Sequence, residues 1–407
     1  MQGPEASLHA RVPVHFLGLS QIASYGLLFY LFAQIAEPLS ARYQVTPAFV
    51  LLGVSFILVI QAPLAPLVGS WVDRYGALRI LSIGLALGGV GLAALGWFDH
   101  VTGFWLCMGI IGLGSAASQY EVAFAAAVQI QDLQSRHAIS VITFYGGVAS
   151  SIVWLSVAPL LTWVQLDLVL LVLAIPLAIL SLIAWRSANH RQAITSRERS
   201  ETPWIGFHWR QLSAYQQRAL QWLALSVSLE GFVFAATSLM WITWFTRQFN
   251  EPGLAVVLAS LYGPFQVVGR ILEMRYGRLY DARMTGLVAF LCLPVSLCFA
   301  MIPSEIAAVI AMILFGMGHG VLSITFGFVI SLFFESGVYG RAKAMIAAPK
   351  ALAASAGPLL AGLLYTAAPD WFLPAALLTI SIALVVFVRI LKLPTRANHS
   401  IIMTESP

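Results

Sequence analysis

Six ionisable residues interrupt long apolar stretches of the chain, where an unpaired charge is expensive and functional residues are the usual exception. They are Glu121, Glu230, Arg270, Glu273, His319 and Lys350. A guanidinium is always charged and can hold a carboxylate through two parallel hydrogen bonds, and a nearby lysine adds a second positive charge. A carboxyl group in a low-dielectric environment can take up a proton, and a histidine can relay one. These residue types therefore suit the binding of an organic anion coupled to proton movement.

Helical spacing gives the basic residues polar neighbours. Tyr262, Gln266, Arg270 and Glu273 recur at steps of four, four and three, so they form one stripe of a helix. Such a stripe is expensive to expose to lipid and is expected to line a cavity. The predicted substrate-binding residues are Arg270, Gln266, Lys350, Tyr25, Gln21 and Tyr145.

An equally weighted interpretation gives Arg270 a structural role. The guanidinium would then pair with Glu273, one turn further along, or with Glu121 or Glu230 on other helices, which keeps the buried charges neutral. Both roles are compatible if the pair opens during a working cycle.

The candidate proton-coupling residues are Glu121, Glu230 and His319. Glu121 is favoured over Glu230 because the segment Ser115-Ala-Ala-Ser-Gln-Tyr-Glu121 concentrates polar groups within one helix. A count of helix depth places both glutamates in the cytoplasmic half and His319 nearer the middle. Packing is the alternative role for His319, which lies among glycines, and Na+ is the alternative to H+ as the coupling ion.

The composition indicates that lipid is the main solvent of this chain. Of its 407 residues 59% are hydrophobic and 10% are charged, whereas soluble domains carry about 25% charged residues. The net charge of +5 is distributed over short turns, which favours a bilayer over nucleic acid as the partner. The three cysteines lack metal-binding spacing. The sequence also shows no metal-binding cluster, no Ser/His pair at catalytic spacing and no phosphate-binding loop, so no metal, cofactor or catalytic residue is expected.

Apolar runs long enough to cross a bilayer occur twelve times, since about 20 helical residues are needed for each crossing. They predict helices at 14–38, 46–72, 78–98, 101–131, 137–164, 166–187, 219–246, 253–276, 285–303, 305–334, 342–367 and 371–392. The fold class is an all-α polytopic membrane protein with two pseudo-symmetric six-helix bundles. The predicted bundles are 1–187 and 213–395, joined by a cytoplasmic linker at 188–212 and followed by a cytoplasmic tail at 396–407.

The distribution of arginine and lysine predicts the orientation. With the N-terminus in the cytoplasm, only Arg42 and Arg247 among the loop residues fall on the outer side. This asymmetry follows the positive-inside rule and requires an even number of spans. Both termini are therefore expected in the cytoplasm of a cell whose cytoplasmic, or inner, membrane holds the protein.

A polar segment is repeated at equivalent positions of the two halves. The first copy, Gly69-Ser-Trp-Val-Asp73-Arg74-Tyr-Gly76-Ala-Leu-Arg79, follows the second apolar run, and Gly277-Arg-Leu-Tyr-Asp281-Ala-Arg283 follows the eighth. We expect Gly69 to permit close helix approach and Gly76 to take a left-handed turn. Asp73 is predicted to act as a latch against a helix N-terminus or an arginine. The repeat indicates an internal duplication.

Twelve helices in two halves with this duplicated segment resemble the major facilitator superfamily over nearly the whole chain. The family motif, roughly Gly-x-Leu-x-Asp-Arg-x-Gly followed by basic residues, matches at Gly69, Asp73, Arg74 and Gly76, with Trp71 in place of leucine. Its basic run is reduced to Arg79. The resemblance implies alternating access around a midplane site and a gating role for Gly69, Asp73, Arg74, Gly76, Arg79, Gly277 and Asp281.

Arg270 and Lys350 look like the basic residues that bind the substrate carboxylate in the oxalate/formate and monocarboxylate branch of this superfamily, although their register differs. The expected function is thus a proton-coupled secondary transporter, not an enzyme, for a small organic anion. An efflux antiporter for a neutral or cationic amphiphile is the alternative, with Glu121 as the counter-charge of the substrate. The expected partners are a small-molecule substrate, a coupling ion and the bilayer, and the protein is expected to be a monomer.

Overall fold

The computed structural model of the chain describes residues 14–131, 135–191, 212–334 and 336–394. Within these ranges eleven helices and one bent pair are long and apolar enough to cross a membrane. The bent pair is helix 1, whose parts Val14–Tyr30 and Phe32–Tyr43 meet at 41°. The prediction of twelve spans is therefore confirmed. The predicted linker core at 192–211 and the tail at 396–407 lie outside the described residues.

The helices are numbered here in chain order, and several consist of two parts. Their bounds are: helix 1, Val14–Tyr25, Gly26–Tyr30 and Phe32–Tyr43; helix 2, Pro47–Tyr75; helix 3, Ala77–Ala94; helix 4, Val101–Ala116 and Tyr120–Gln131; helix 5, Ser135–Gly147 and Ala149–Trp163; helix 6, Leu166–Arg191; helix 7, Ala214–Ser238 and Trp241–Phe249; helix 8, Pro252–Ser260 and Tyr262–Tyr276; helix 9, Ala282–Ala300; helix 10, Glu305–Ser331; helix 11, Ser336–Ala367; and helix 12, Phe372–Leu391.

Local sequence signals explain several of these ends. Helix 2 begins where the Thr46 side chain accepts a hydrogen bond from the Phe49 amide, with Pro47 at the first helical position. It ends at Gly76, whose φ of +90° is readily accessible only to glycine. Helix 1 continues past its predicted end at residue 38 because Pro38 lies inside the helix instead of terminating it.

Helices 1, 4, 5, 7 and 8 are interrupted within the span, and helix 1 contains a π-helical segment at Gly26–Tyr30. Non-helical backbone at membrane depth is tolerated only where protein or a water-filled cavity surrounds it. Interruptions and π-helical turns of this kind occur frequently at binding sites. The broken helices are therefore candidates for the helices that line a binding site.

Contacts divide the chain into two compact units, Met1–Thr195 with Leu239–Gly263, and Ser196–Ser238 with Pro264–Pro407. The same pairings recur in each: helix 1 with 5, 3 with 4 and 3 with 6 in the first, and 7 with 11, 9 with 10 and 9 with 12 in the second. This repetition agrees with the inferred duplication. Residues 239–263 join the first unit because their helical segments pack on helices 1 and 5, where Ser151 Oγ donates to the Ser260 carbonyl at 2.5 Å.

One arginine ties three parts of the first unit together. Arg42, at the end of helix 1, pairs with Asp99 at 2.7 Å and with Asp167 at the start of helix 6. It also donates to the carbonyl oxygens of Gly96 at 2.6 Å and Phe98 at 3.3 Å. The planar guanidinium thus joins helix 1, the loop between helices 3 and 4, and helix 6.

The two copies of the duplicated segment fold differently. In the first copy residues 69–75 belong to helix 2 and only Gly76 separates it from helix 3, so the predicted polar turn is mostly helical. The expectation that Gly69 serves a close helix approach is wrong for the described part of the chain, because a methyl group there would meet no described atom within 4 Å. Gly76 has the positive φ that was predicted, although outside the left-handed helical region. The side chain of Asp73 lies outside the described part, so its latch role stays a prediction.

In the second copy a 3-10 turn at Gly277–Leu279 follows helix 8. Asp281 then caps helix 9 by accepting a hydrogen bond from the Arg283 amide at 2.8 Å. Its carboxylate also pairs with the Arg283 guanidinium at 2.6 Å. Because these hydrogen bonds favour the charged form, the pKa of Asp281 is lowered from its ordinary value.

Candidate functional site

A buried carboxylate with two basic partners lies inside the second unit. Glu230 of helix 7 is 1% exposed, and its Oε1 is 2.7 Å from Nδ1 of His319 on helix 10. Its other oxygen, Oε2, is 3.5 Å from Nζ of Lys350 on helix 11. One carboxylate thus connects three spanning helices, and its contacts with the two basic residues lower the cost of burying these charges inside a membrane protein.

Packing fixes the orientation of the two basic partners. The imidazole of His319 is stacked on the ring of Phe234, with centroids 3.6 Å apart and planes 5° from parallel. The alkyl chain of Lys350 lies against Gly231, where an added Cβ would come within 3.0 Å of it. Gly231 and Phe234 both follow Glu230 within about one turn of helix 7, so one helix both supplies the carboxylate and positions its partners.

A small apolar pocket adjoins this cluster. It is lined by Glu230, Val233, Phe234, Leu293, Leu297, Phe315, His319 and Ile380. Since the pocket is apolar on its remaining sides, the glutamate and histidine hold their contact in a low-dielectric environment, where such electrostatic interactions are strong.

Arg270 lies nearby on helix 8 and is 5% exposed. Its Nε donates a hydrogen bond to Ser323 Oγ at 3.1 Å, and Ser323 donates to the Gly320 carbonyl at 2.7 Å. Gln266, one turn before Arg270, is 3% exposed. Its Nε2 has no acceptor among the described residues. The predicted face of helix 8 therefore presents a buried cation and, in the side-chain amide of Gln266, a donor that is available to a ligand.

The first unit contains a second polar cluster where helix 4 is interrupted. Gln21 of helix 1 donates through Nε2 to the Ser118 carbonyl at 3.0 Å, and the hydroxyl groups of Ser24 and Ser118 are 2.7 Å apart. These contacts satisfy backbone and side-chain groups released by the break. The Gln21 Oε1 is buried without a donor among the described residues.

Aromatic rings surround this second cluster. Tyr25, one turn after Gln21, packs on Tyr120 with centroids 4.6 Å apart, and Tyr120 stacks on Phe124 at 5.1 Å. Glu121 follows Tyr120 and is exposed. Tyr145 of helix 5 is not part of this stack: its hydroxyl is 2.8 Å from Nδ1 of His15.

The structure thus brings some predicted residues together and separates others. Glu230, His319 and Lys350 form one cluster, and the different membrane depths expected for Glu230 and His319 stay a prediction. The proposed pairing of Arg270 with Glu230 is not observed, since the carboxylate of Glu230 is engaged by the other two residues.

Sequence analysis missed Ser323, which holds Arg270, and Phe234, which stacks on His319. A signal was present: Phe315, His319 and Ser323 recur at steps of four on helix 10, so they share one face. That face meets both the Glu230 cluster and Arg270. The polar residues His319 and Ser323 on this face indicated that it packs inside the protein, against helices 7 and 8.

These features define a polytopic helical membrane protein with a charged network inside its second half. The sequence matches the model of the Major Facilitator Superfamily over residues 17–346. The chain belongs to this superfamily and is a membrane transporter of the secondary type. A comparison with curated protein sequences gives no match.

Solved structures with the same fold cover almost the whole chain. The nucleoside transporter NupG aligns with a TM-score of 0.71 at 13% identity, over 93% of this chain and 98% of its own. The human organic anion transporter MFSD10 gives 0.68 at 16% identity, over 95% and 100%. A bacterial homolog of the human lysosomal transporter Spinster gives 0.70 at 12% identity, over 97% and 98%. At these identities the likeness is one of fold.

Proposed function

We propose that the protein is a proton-coupled secondary transporter of a small organic anion, a mono- or dicarboxylate, that works by alternating access. The observation that carries the proposal is the buried guanidinium of Arg270, held by Ser323 through Nε. A cation buried in a spanning helix is expensive and is usually functional. A carboxylate is the ligand that guanidinium geometry fits best.

Two further groups of the second unit fit the same ligand. Gln266 offers an amide N–H donor one turn from Arg270, and Lys350 offers an ammonium group on a side chain that is 37% exposed. Gln21, Tyr25 and Tyr145 of the first unit are proposed as additional substrate contacts, with the Gln21 carbonyl suited to a hydroxyl or N–H donor.

Proton coupling follows from competition for Lys350. A substrate carboxylate that attracts the ammonium group leaves Glu230 with His319 as its remaining basic partner. Glu230 and His319 can then share one additional proton, which compensates for the lost positive charge. Glu121, exposed in helix 4, is a further candidate for proton transfer in the first unit.

The duplicated segments are proposed to gate the cycle. Gly76 and Gly277 allow the tight connections after helices 2 and 8, Asp281 caps helix 9, and Arg74 and Arg79 flank the first connection. Gly69 and Asp73 complete the first copy, with Asp73 as the latch. Unchanged transport by Asp73→Asn would end the latch hypothesis. We further propose a monomer in the cytoplasmic, or inner, membrane with both termini in the cytoplasm.

The test is uptake of radiolabelled lactate and oxalate into proteoliposomes under an imposed pH gradient. Arg270→Gln is compared with wild type and with Arg275→Gln, an exposed arginine on the same helix. We expect accumulation by wild type and by the control, and loss of at least tenfold in the rate for Arg270→Gln. Normal uptake by Arg270→Gln, in protein that elutes as a single folded species, would refute the anion site.

One observation favours a second candidate, an efflux antiporter for a cationic or neutral amphiphile. Glu121 is an exposed carboxylate beside the aromatic stack of Tyr25, Tyr120 and Phe124, and such a combination binds organic cations. The same liposomes with a radiolabelled quaternary ammonium probe decide between the two. Transport of that probe alone, abolished by Glu121→Gln and unaffected by Arg270→Gln, would establish the antiporter.

A further inference from the structure

A second buried carboxylate, Glu273, lies one turn after Arg270 on the same face of helix 8. It is 7% exposed, and its Oε1 accepts a hydrogen bond from Thr285 Oγ1 of helix 9 at 3.2 Å. Gly277 makes room for the carboxylate, because a Cβ at that position would lie only 2.5 Å from Glu273 Cδ. The first glycine of the second motif copy therefore packs directly on this acidic group.

Among the described residues no lysine, arginine or histidine comes within 4.0 Å of the Glu273 carboxylate. The nearby basic groups are engaged elsewhere: Arg270 donates to Ser323, and Arg283 of helix 9 pairs with Asp281. Helix 10 brings the hydroxyl of Thr325, which is buried, and its own titratable group, His319, is held by Glu230.

Arg275, on helix 8 itself, is exposed and lies over the ring of Tyr276, with 5.9 Å from its Cζ to the ring centroid. Within the described part of the chain, the immediate surroundings of Glu273 are therefore hydroxyl groups and a glycine, without a cation in contact.

An ionised carboxylate in such surroundings is expensive, and protonation removes the charge. The hydroxyl of Thr285 can accept from the neutral acid, but it donates to the anion in a stronger, charge-assisted hydrogen bond, so it favours the charged form. An anion bound to Arg270 would bring negative charge within about one helical turn, roughly 5–6 Å, of Glu273. That repulsion favours uptake of a proton by the glutamate at the moment the anion binds.

We propose that Glu273 is a proton-binding site coupled to the anion on Arg270, which takes up a proton from water when the anion binds and returns it to water when the anion leaves. This inference rests on the proposed anion function. It adds a proton site at Glu273 to the one proposed at Glu230 and His319, and because both protons move with the anion the cycle is a symport. It also links proton binding to the proposed gating segments, because the carboxyl group of Glu273 packs against Gly277, the first residue of the second motif copy.

The first measurement is infrared difference spectroscopy of the purified protein in liposomes during a pH titration without any anion. Wild type should show the C=O band of a protonated carboxyl group that is absent in Glu273→Gln and retained in Glu230→Gln. Thr285→Val, which removes the hydroxyl donor to the anion, should move the midpoint of that band to higher pH. A spectrum that is the same in wild type and Glu273→Gln, or a midpoint unmoved by Thr285→Val, would overturn the proposal.

The second measurement compares lactate and oxalate exchange with accumulation driven by a pH gradient. In Glu273→Gln the accumulation should fall at least tenfold while exchange persists. The control is Glu305→Gln, which changes an exposed glutamate of helix 10, and its accumulation and exchange should both equal those of wild type. Full accumulation by Glu273→Gln refutes the proton site and leaves the anion function intact. If wild type transports neither probe, the anion function fails, and the infrared titration still decides whether Glu273 binds a proton.

Discussion

Removing either partner of the Glu230–Lys350 ion pair should have unequal consequences for stability. The Glu230 side chain is 1% exposed, whereas that of Lys350 is 37% exposed. In Glu230→Gln the ammonium group can reach water along its own alkyl chain. The main loss is the charge-assisted hydrogen bond with His319, roughly 1.5–3 kcal/mol. In Lys350→Met the buried carboxylate keeps one basic partner, and removal of one member of a buried pair costs roughly 3–5 kcal/mol.

We therefore expect Lys350→Met to be the more destabilising change. The double variant should be less destabilised than the sum of the two single variants, by about 1–3 kcal/mol, because the residues are in contact. Apparent unfolding temperatures and denaturant midpoints of purified protein in one detergent, followed by tryptophan fluorescence, measure both effects. Lys392→Met, at an exposed lysine beyond helix 12, is the control and should stay within about 0.5 kcal/mol of wild type. Equal or reversed single effects, or strict additivity, would refute the assignment of Lys350 as the partner on which the buried carboxylate depends.

Two further predictions concern charges at helix ends. Arg42→Gln should lower the apparent unfolding temperature by several degrees. Arg42→Lys should lower it by less, because lysine keeps the charge but cannot reach two carboxylates and two carbonyl groups at once. Equal unfolding temperatures of the two variants would contradict a role for the hydrogen-bonding geometry of the guanidinium. The pKa of Asp281 is lower in the folded than in the unfolded state, so its carboxylate stabilises the protein at pH values above the unfolded-state pKa. This contribution is lost as the pH falls through the folded-state pKa. Asp281→Asn should therefore be less stable than wild type at pH 7, and this deficit should shrink as the pH falls below the unfolded-state pKa of about 3.9. A deficit independent of pH would contradict the ion pair with Arg283.

The number of spans was predictable because the bilayer thickness sets the minimum length of an apolar run. Their ends were less predictable, since a helix can continue through residues that usually stop it. Pro38 is one case, and the start of helix 11 at Ser336 instead of residue 342 is another. In both, the flanking residues sustain the backbone hydrogen bonds, and composition alone cannot show where those bonds stop.

The candidate site was predictable only along single helices. The face of Gln266 and Arg270 follows from the helical period, and both side chains are buried as expected. The contact of Glu230 with His319 was not predictable in this way, because it depends on the rotation and axial position of helix 7 relative to helix 10. The pairing required a structure, although the spacing of Phe315, His319 and Ser323 already marked the face of helix 10 that receives it.

The two halves share their helix pairings, but the two copies of the motif differ in local structure. Helices 3, 4 and 6 pack as helices 9, 10 and 12 do within their own unit, yet the first motif copy is mostly helical and the second forms a capped turn. The difference has a local cause. Gly277 lies against the Glu273 carboxylate and Asp281 begins helix 9, whereas Gly69 lies in mid-helix with open space beside it. Because the buried acid and the capped turn touch in the second copy, a change of charge at Glu273 acts first on that turn, and we expect the two connections to respond to proton binding unequally.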